Sequence, residues 1–358
     1  MKRVLFVCLH RPDRSPSQRF RFEQYLSFLN ANGYNCEFSW LLSKEDDKAF
    51  YSPGHYFKKA SIVIKSAWKR WNEIRRAKDY DIVFVQRECF MLGTAFFEQK
   101  FAQQTKLIFD FDDSIWIPNV SSANKRLAFL KNSEKTKEII KVADLVFAGN
   151  TYLAEYARKF NKNVVIIPVT IDTDLYKNEH RTLKEKICIG WSGSVTTVEH
   201  FETKIQALAA IKRKYKEKVY FKIIGDGKYY NKLLQTEGLS WIKETEVQDL
   251  SEFDIGIMPL PDTEWAKGKC GLKGLQYMAL GVPTIMSPVG VNSEIIQDGE
   301  NGFLADSDEE WVNKLSLLIE SFELRKKIGD AGRKTVEEKY SIHTNTNLYL
   351  RYFDQLTS

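Results

Sequence analysis

The sequence lacks the features that define several protein classes. Its five cysteines are odd in number, widely separated and without a CxxC pair, which argues against a disulfide framework or a zinc knot and favours a reducing compartment. The five histidines show no metal-ligand spacing, and neither a GxSxG elbow nor a Walker loop occurs. No stretch approaches the ~20 apolar residues of a membrane-spanning helix. Any membrane contact is therefore expected to be peripheral.

The first ten residues, MKRVLFVCLH, combine two basic residues with a short apolar run. His10 and Arg11 interrupt that run too early for the core of a signal peptide, so we predict a first strand here. Together with the cysteine pattern, this favours a cytoplasmic location, with the inner face of a membrane as an alternative.

Positive charge is concentrated between residues 57 and 78. The net charge of the chain is +6, and this segment interleaves lysines and arginines with Phe57, Trp68 and Trp71. The pattern predicts a basic amphipathic helix. Two interpretations stay open: a solvated helix that packs on its own domain, or a surface for peripheral membrane or acceptor contact. No recognised nucleic-acid module accompanies the charge, so no nucleic-acid partner is expected.

Short apolar strands alternate with helical segments in both halves of the 358-residue chain. Apolar runs bounded by helices are typical of parallel strands buried on both faces. Strands are predicted at 4–9, 81–86, 106–111, 143–149, 164–169, 186–193, 219–227, 253–260 and 282–287. Helices are predicted at 19–30, 131–142, 198–215, 272–280 and 308–319. We therefore predict an α/β fold with two Rossmann-like domains facing across a cleft, at 1–169 and 170–340, and a terminal helix at 341–358 that crosses back to the first domain.

The stretch from Gly268 to Ala305 is rich in glycine. Gly271 and Leu272 lie where a loop enters a predicted helix, and a helix N-terminus presents free amides and a positive dipole end to a phosphate. Lys269 and Lys273 flank this point and could place charge on the same group. A glycine-bounded loop with two solvated lysines would show the same pattern, so the residues alone leave both interpretations open.

This stretch resembles the retaining GT-B glycosyltransferases of family 4, also called glycosyltransferase group 1. The matching residues are Met278, Ala279, Gly281, Pro283, Gly290, Glu294 and Asn301, Gly302, Phe303 and Leu304. WSGS at 191–194, IIGDG at 223–227 and DIGIMPL at 254–260 resemble further family motifs, and the likeness covers nearly all of the chain from about Leu107 onward. The resemblance implies a donor site formed by Ser192, Gly193, Ser194, Gly225, Asp226, Lys269, Gly271, Leu272, Lys273 and Gln276.

Both glutamates of the family's Glu-x7-Glu motif are absent. Gly268 stands at the first position and Gln276 at the second. In the family the second glutamate holds the ribose hydroxyls of the donor, a task that the amide oxygen of Gln276 can share without charge. The first glutamate contacts the donor sugar, and Asp262 or Glu264 could substitute for it.

The DFDD run at 110–113 places three carboxylates at the end of a predicted strand. Such groups should be hydrogen-bonded, paired with cations or shifted in pKa. The resemblance places Asp112 near the transferring sugar, so Asp112, Asp113 and Lys269 are the candidate catalytic residues. A structural role, as a helix cap or an arginine pair, stays open. Two further interpretations of the DFDD run also stay open, an Asp-x-Asp metal site and a phosphatase motif.

Three further residues are candidates for the acceptor side. Arg19 and Arg21 follow the first strand and could reach the DFDD run, and His10 ends that strand. A loop histidine without function would occupy the same position as His10.

The resemblance implies an enzyme of the hexosyltransferase type. It would move a sugar from a nucleoside diphosphate sugar to a saccharide or lipid-linked acceptor, in the synthesis of a cell-surface polysaccharide and with retention of configuration. Helix amides and lysines would stabilise the leaving diphosphate, so neither a metal nor another cofactor is expected. A catalytically silent nucleotide or sugar binder and a metal-dependent Asp-x-Asp enzyme are the alternatives.

Overall fold

The computed structural model describes residues 1–117, 132–177 and 184–358. These residues divide into two compact units. The N-terminal unit comprises Met1–Val169 and Thr346–Ser358, and the C-terminal unit comprises Thr170–Asn345. None of the helices in the described part of the chain is both long and apolar enough to cross a membrane.

A parallel sheet of six strands forms the centre of the N-terminal unit, in the order β2-β1-β3-β4-β5-β6. Its strands are β1 Lys2–Val7, β2 Tyr34–Ser39, β3 Ile82–Gln86, β4 Lys106–Phe111, β5 Leu145–Ala148 and β6 Val164–Ile166. Strands β3 and β5 are buried along their whole length, as expected of a parallel sheet covered on both faces.

The helices of the N-terminal unit are α1 Pro16–Arg19, α2 Leu26–Ala31, α3 Lys44–Phe50, α4 Tyr56–Arg75, α5 Phe96–Ala102, α6 Glu134–Val142 and α7 Thr151–Arg158. The single helix predicted at 19–30 is wrong. Phe20, Arg21 and Phe22 are all buried, and three consecutive residues cannot share the inward face of one helix, so the chain turns between α1 and α2. Of the helix predicted at 131–142, residue 131 lies outside the described residues.

The C-terminal unit contains a seven-stranded sheet in the order β13-β12-β11-β7-β8-β10-β9. Its strands are β7 Ile187–Ser192, β8 Val219–Gly225, β9 Tyr230–Asn231, β10 Thr236–Ser240, β11 Ile255–Met258, β12 Thr284–Met286 and β13 Phe303–Leu304. Only the pairing of β9 with β10 is antiparallel among these described strands.

The helices that follow are α8 Val198–Glu202, α9 Ile205–Tyr215, α10 Glu246–Ser251, α11 Glu264–Lys267, α12 Leu272–Ala279, α13 Asn292–Ile295, α14 Asp308–Glu320, α15 Phe322–Thr335 and α16 Ile342–Thr357. The continuous helix predicted at 198–215 is wrong, because it is interrupted after Glu202. Thr203 donates its hydroxyl to the carbonyl of His200 at 2.6 Å, a local bond that competes with the helical pattern. In the N-terminal unit, Tyr349 of α16 stacks on Tyr25 with 4.2 Å between ring centroids.

The predicted α/β class with two Rossmann-like halves is confirmed, and each predicted strand has a counterpart. Strands β2, β9, β10 and β13 were not predicted. Strand β2 lies at the edge of its sheet and its burial alternates, so its sequence, YNCEFS, contains no continuous apolar run. Strands β9 and β13 have only two residues each, which is too short to give a pattern.

Candidate functional site

Helix α12 begins at a glycine that the backbone requires. Gly271 adopts a left-handed conformation with φ of 70°, and a Cβ at this position would collide with the side chain of Ile295. Both the conformation and the packing therefore exclude other residues. Gly271 offers no side-chain cap to the first turn of α12. The amides from Leu272 onward are thus oriented to receive an anion at this helix N-terminus.

Two lysines stand at the same helix start. Burial of the Lys273 ammonium group, reinforced by the positive charge of Lys269, lowers the pKa of Lys273 to about 7. In the described part of the chain Lys273 forms no ion pair; its ammonium lies 4.6 Å from the centre of the Trp191 ring and 3.5 Å from the hydroxyl of Thr197. Lys269 lies over the ring of Trp265 at 4.8 Å. An anionic ligand at this helix start would neutralise the Lys273 ammonium, for which the described residues supply no carboxylate.

The loop after β7 reaches the same place. Ser194 and Thr197 cap each other at the turn that opens α8, and Thr197 is the residue that contacts Lys273. Ser192 is buried at the end of β7, where its amide and hydroxyl both meet the hydroxyl of Tyr277 at 2.8 Å. The end of β7 is thereby bonded to α12, which joins two segments that the sequence places 85 residues apart.

Two glycines allow the ends of β7 and β8 to approach each other. The Gly193 amide donates to the carbonyl of Ile224 at 2.9 Å. Gly225 has φ of 138°, and a Cβ there would collide with the carbonyl of Gly193. Asp226 closes the following turn by accepting the amide of Lys228 at 2.9 Å. Gly193 and Gly225 thus lie together, while the contact of Asp226 is a local turn bond.

A buried polar network surrounds Gln276. Its amide nitrogen donates to the hydroxyl of Tyr176 at 2.9 Å and to the carboxylate of Glu246 at 3.3 Å. Glu246 also accepts from Tyr176 at 3.0 Å and from the indole of Trp241 at 3.0 Å. An ionised carboxylate only accepts hydrogen bonds, so Glu246 faces the amide nitrogen of Gln276, and the amide oxygen of Gln276 points away from Glu246. The charge that the sequence motif lacks at Gln276 is therefore present beside it, on Glu246.

Gly268 stands at the first position of the Glu-x7-Glu motif, and the acids near it in the sequence are Asp262 and Glu264. Gly268 ends α11 with its amide donating to Trp265 at 3.2 Å. Asp262 and Glu264 lie near Lys267, at 3.6 and 2.9 Å. Both carboxylates are largely exposed, so no buried acid is positioned by these contacts.

A histidine that sequence reasoning missed lies beside the lysine pair. His200 on α8 is buried, and its pKa is lowered to about 4 by burial and then by the charges of Lys273 and Lys269. The imidazole is therefore neutral at physiological pH. The charges of Lys269 and Lys273 act on His200 only in the folded protein, and no local signal in the sequence connects His200 with residues 69 and 73 positions further on.

In the N-terminal unit the carboxylates of the DFDD run contact two different arginines. Asp110 is completely buried and receives the guanidinium of Arg21, with 3.1 Å from Nε to Oδ1. Arg21 is equally buried and also donates to the carbonyl of Ile167. Arg21 thus joins the ends of β4 and β6 and presents no surface for direct contact with an acceptor.

Asp112 and Asp113 meet a second arginine. Arg87 lies 2.9 Å from Asp112 and 3.5 Å from Asp113, and Ser17 donates to Asp112 at 2.6 Å. Burial alone would raise the pKa of Asp112, but the charges of Arg87 and Arg21 and the bond from Ser17 hold it below its usual value. Asp112 is therefore an ionised hydrogen-bond acceptor at neutral pH. Arg87, which sequence reasoning missed, has φ of 61°, an uncommon conformation for its type.

His10 belongs to a different cluster. Its Nδ1 lies 3.7 Å from Asp47, which Arg14 also contacts at 2.7 Å. Gln18 holds the backbone of His10 through bonds of 3.1 and 2.9 Å. The guanidinium of Arg19 lies over the ring of its neighbour Phe20 at 4.9 Å. The described contacts therefore place Arg21 with Asp110, but His10 and Arg19 with other partners.

Solved structures share this fold over nearly the whole chain. HepE (Alr3699) of Anabaena, in complex with UDP and glucose, has a TM-score of 0.69 and 14% identity over 99% of this chain and 100% of that one. Sucrose-phosphate synthase of Thermosynechococcus elongatus has a TM-score of 0.70 and 13% identity over 99% of both chains. With its two Rossmann-like units, the chain has the fold of the GT-B glycosyltransferases.

The sequence relatives specify the enzyme class. Residues 186–321 match the family Glycosyl transferases group 1. An uncharacterized glycosyltransferase of Methanocaldococcus jannaschii, MJ1069, is 24% identical over 302 residues, which are 78% of this chain and 76% of that protein. N-acetyl-alpha-D-glucosaminyl L-malate synthase of Bacillus anthracis is 27% identical over 217 residues, 55% of each chain. The protein is a glycosyltransferase, and its C-terminal unit carries the group 1 sequence.

Proposed function

We propose that this glycosyltransferase takes its sugar from a nucleoside diphosphate sugar whose diphosphate binds at the start of α12. The observation that carries the proposal is the pair Lys269 and Lys273 beside the first amides of α12, which have no side-chain cap. Among the described residues, no carboxylate pairs with Lys273. A diphosphate would supply negative charge to the Lys273 ammonium, which forms no ion pair among the described residues. The complex of HepE with UDP and glucose provides support from a protein of the same fold.

The reaction breaks the bond between the anomeric carbon and the β-phosphate oxygen, and the electron pair remains on the diphosphate. The acceptor hydroxyl forms the new bond to the same carbon, and its proton passes to the departing diphosphate oxygen. Negative charge grows on the leaving oxygen, so fixed ammonium groups and helix amides stabilise the transition state more than the ground state. These groups do the work of a divalent cation, and we propose that turnover proceeds with EDTA present. Retention of configuration is part of the proposal.

The remaining predicted residues take supporting roles. Gln276 offers its amide oxygen to a ribose hydroxyl, held in orientation by Glu246. Asp112 and Asp113 orient sugar hydroxyls, since an ionised acceptor suits that task better than proton donation. A saccharide or lipid-linked acceptor of a cell-surface polysaccharide is the substrate class we propose.

The test is a screen of uridine, guanosine and adenosine diphosphate sugars with EDTA present, following nucleotide release and thermal stabilisation. We expect release from one donor class. Lys269→Ala should lower the release strongly, whereas Lys326→Ala, an exposed lysine of α15, should not.

The other outcomes assign the alternatives. Thermal stabilisation without release, even with candidate acceptors, would identify a silent binder. Release that requires added magnesium or manganese would contradict metal independence and direct attention to Asp110, Asp112 and Asp113.

A further inference from the structure

Helix α4 turns its large apolar side chains outward. Phe57 is 95% exposed, Ile64 70%, Trp68 68% and Trp71 42%. Their spacing of seven, four and three residues places them on one face of the helix. Isolated exposed apolar residues are ordinary, but a continuous stripe with two tryptophans is not.

The inward face of the same helix carries polar side chains as well as apolar ones. Lys59, Ser66 and Arg70 are buried there beside Ile62 and Ile74. Arg70 donates to the carbonyls of Cys8 and Cys89, each at 2.7 Å. Helix α4 is therefore held to its unit by hydrogen bonds from an arginine as well as by apolar packing. Its tryptophans make no contribution to that core, and the usual arrangement of a surface helix, with apolar residues inward, does not explain them.

The stripe continues onto the next helix. The ring of Trp71 stacks on Phe96 of α5, with 6.2 Å between centroids and 7° between planes. Arg75 lies 5.9 Å from Trp71, and Lys100 lies 5.8 Å from Phe96. Two helices thus present one surface in which aromatic rings alternate with cations.

The charge on this surface has one sign. Residues 56–78 contain eight lysines and arginines and a single acid, Glu73, which pairs with buried Arg70 at 2.6 Å. Lys65 and Arg76 lie 3.4 and 3.6 Å from carboxylates of neighbouring elements. Four of these cations form no ion pair in the described part of the chain; they are Lys58, Lys69, Arg75 and Lys78, and Lys69 donates to the carbonyl of Trp40 at 2.6 Å.

We propose that the outer face of α4, extended by Phe96, docks on an anionic lipid surface. The side chains of Phe57, Trp68 and Trp71 enter the boundary between headgroups and acyl chains, where an indole buries its apolar ring and keeps its N–H wet. The surrounding cations meet lipid phosphates. A second copy of the chain fits this face poorly, because pairing two such surfaces would bring like charges together. The proposal does not depend on the donor or on catalysis.

Vesicle sedimentation with the full chain tests the proposal. We expect binding to phosphatidylcholine vesicles that contain phosphatidylglycerol, and much weaker binding to phosphatidylcholine alone. Trp68→Gln and Trp71→Gln should each lower the partition coefficient about tenfold, from the loss of one buried aromatic side chain. Lys58→Gln should lower it about fivefold, and only with the anionic vesicles. Leu317→Gln, at a 51% exposed position of α14, is the matched control and should bind as the wild type does.

Thermal unfolding of each variant separates a docking defect from a folding defect, since replacement of an exposed side chain should leave the midpoint of thermal unfolding unchanged. Equal sedimentation of the wild type and the variant with both tryptophans replaced would overturn the proposal. So would a wild-type dimer, measured by light scattering, that the same double replacement converts to a monomer. Either result is independent of nucleotide release, so it leaves the proposed function untouched.

Discussion

Two clusters of charge in this protein are neutralised to different extents. In the N-terminal unit, each described acid at the end of β4 meets an arginine, Asp110 with Arg21 and Asp112 with Arg87. In the C-terminal unit, burial and the neighbouring charge of Lys269 lower the pKa of Lys273 to about 7.

The comparison separates charge that maintains the structure from charge that is held ready for a ligand. The fully buried pair of Arg21 with Asp110 is expensive to break but offers nothing to a substrate. A buried cation beside another cation costs stability in the free protein, and that cost is recovered when an anion binds. Lys273, whose pKa is lowered in such a place, is therefore the stronger functional candidate.

The largest effect is expected from breaking the buried pair. Asp110→Asn leaves the charge of Arg21 buried without its counterion, which should lower the free energy of unfolding by about 3–5 kcal/mol. Urea denaturation followed by tryptophan fluorescence measures the loss. Lys106→Ala removes an exposed pair with Asp144 and should change little. An Asp110→Asn variant as stable as this control would mean that the pair does not hold the N-terminal unit together.

The second prediction distinguishes the role of Lys273 in ligand binding from the role of the Arg21–Asp110 pair in stability. Lys273→Met should weaken the binding of a nucleoside diphosphate about 10–100-fold, which corresponds to the loss of one charge-assisted hydrogen bond. The free protein should be no less stable, because the substitution removes a buried cation that is not neutralised. Isothermal titration and urea denaturation together measure both quantities. A variant that loses stability but keeps its affinity would assign Lys273 to the structure, as Arg21 is assigned.

The third effect follows from the pKa of Lys273, which is about 7 in the folded protein and 10.5 ordinarily. Between these values the unfolded chain binds more protons than the folded one, so this group's contribution to stability rises with pH across that window. A diphosphate binds the protonated form, so affinity should fall above pH 7 by up to about tenfold per pH unit, with proton uptake on binding.

Titration in two buffers of different ionisation enthalpy measures that uptake. It should disappear in Lys273→Met and persist in Lys326→Met. Affinity that is level from pH 6 to pH 9 would show that another group carries the charge.

The smallest effect is expected at Glu246, the carboxylate of the C-terminal site. Its described partners are the neutral donors Tyr176, Gln276 and Trp241, so it orients an amide and does not neutralise the lysines. Glu246→Gln should weaken nucleotide binding a few-fold, about the worth of one hydrogen bond, and should reduce the preference for a ribose over a deoxyribose. The pH profile should stay as in the wild type. A shifted profile would place Glu246 among the groups that set the charge of Lys273.

The fold was predictable to the extent that each element has a local pattern. Strand β4 was predicted at its exact residues, since KLIFDF is dominated by the apolar residues Leu107, Ile108, Phe109 and Phe111. The interruptions after Arg19 and Glu202 were not predicted. The first depends on which side chains the sheet buries, and the second on the hydroxyl of Thr203, which donates to the backbone carbonyl of His200. Edge strands such as β2 were not predicted for a related reason. A strand with only one neighbouring strand does not need apolar side chains on both of its faces.

The candidate site was predictable in its local part alone. Gly271, Lys269 and Lys273 lie within five residues, and a turn that opens a helix is a local structure. Glu246 and His200 lie 30 and 73 residues before Gln276 and Lys273, and no spacing rule connects them. They meet because the ends of parallel strands converge on one edge of a sheet.

The sequence by itself determined the alternation of strands and helices, the α/β class and the glycine and lysine pattern of the second half, because periodicity and tight turns are encoded by neighbouring residues. Only the tertiary structure decided which charges are neutralised, that Glu246 stands beside Gln276, and that α4 buries an arginine and exposes its tryptophans. Those properties depend on burial and on contacts between distant segments, and both arise when the chain is folded.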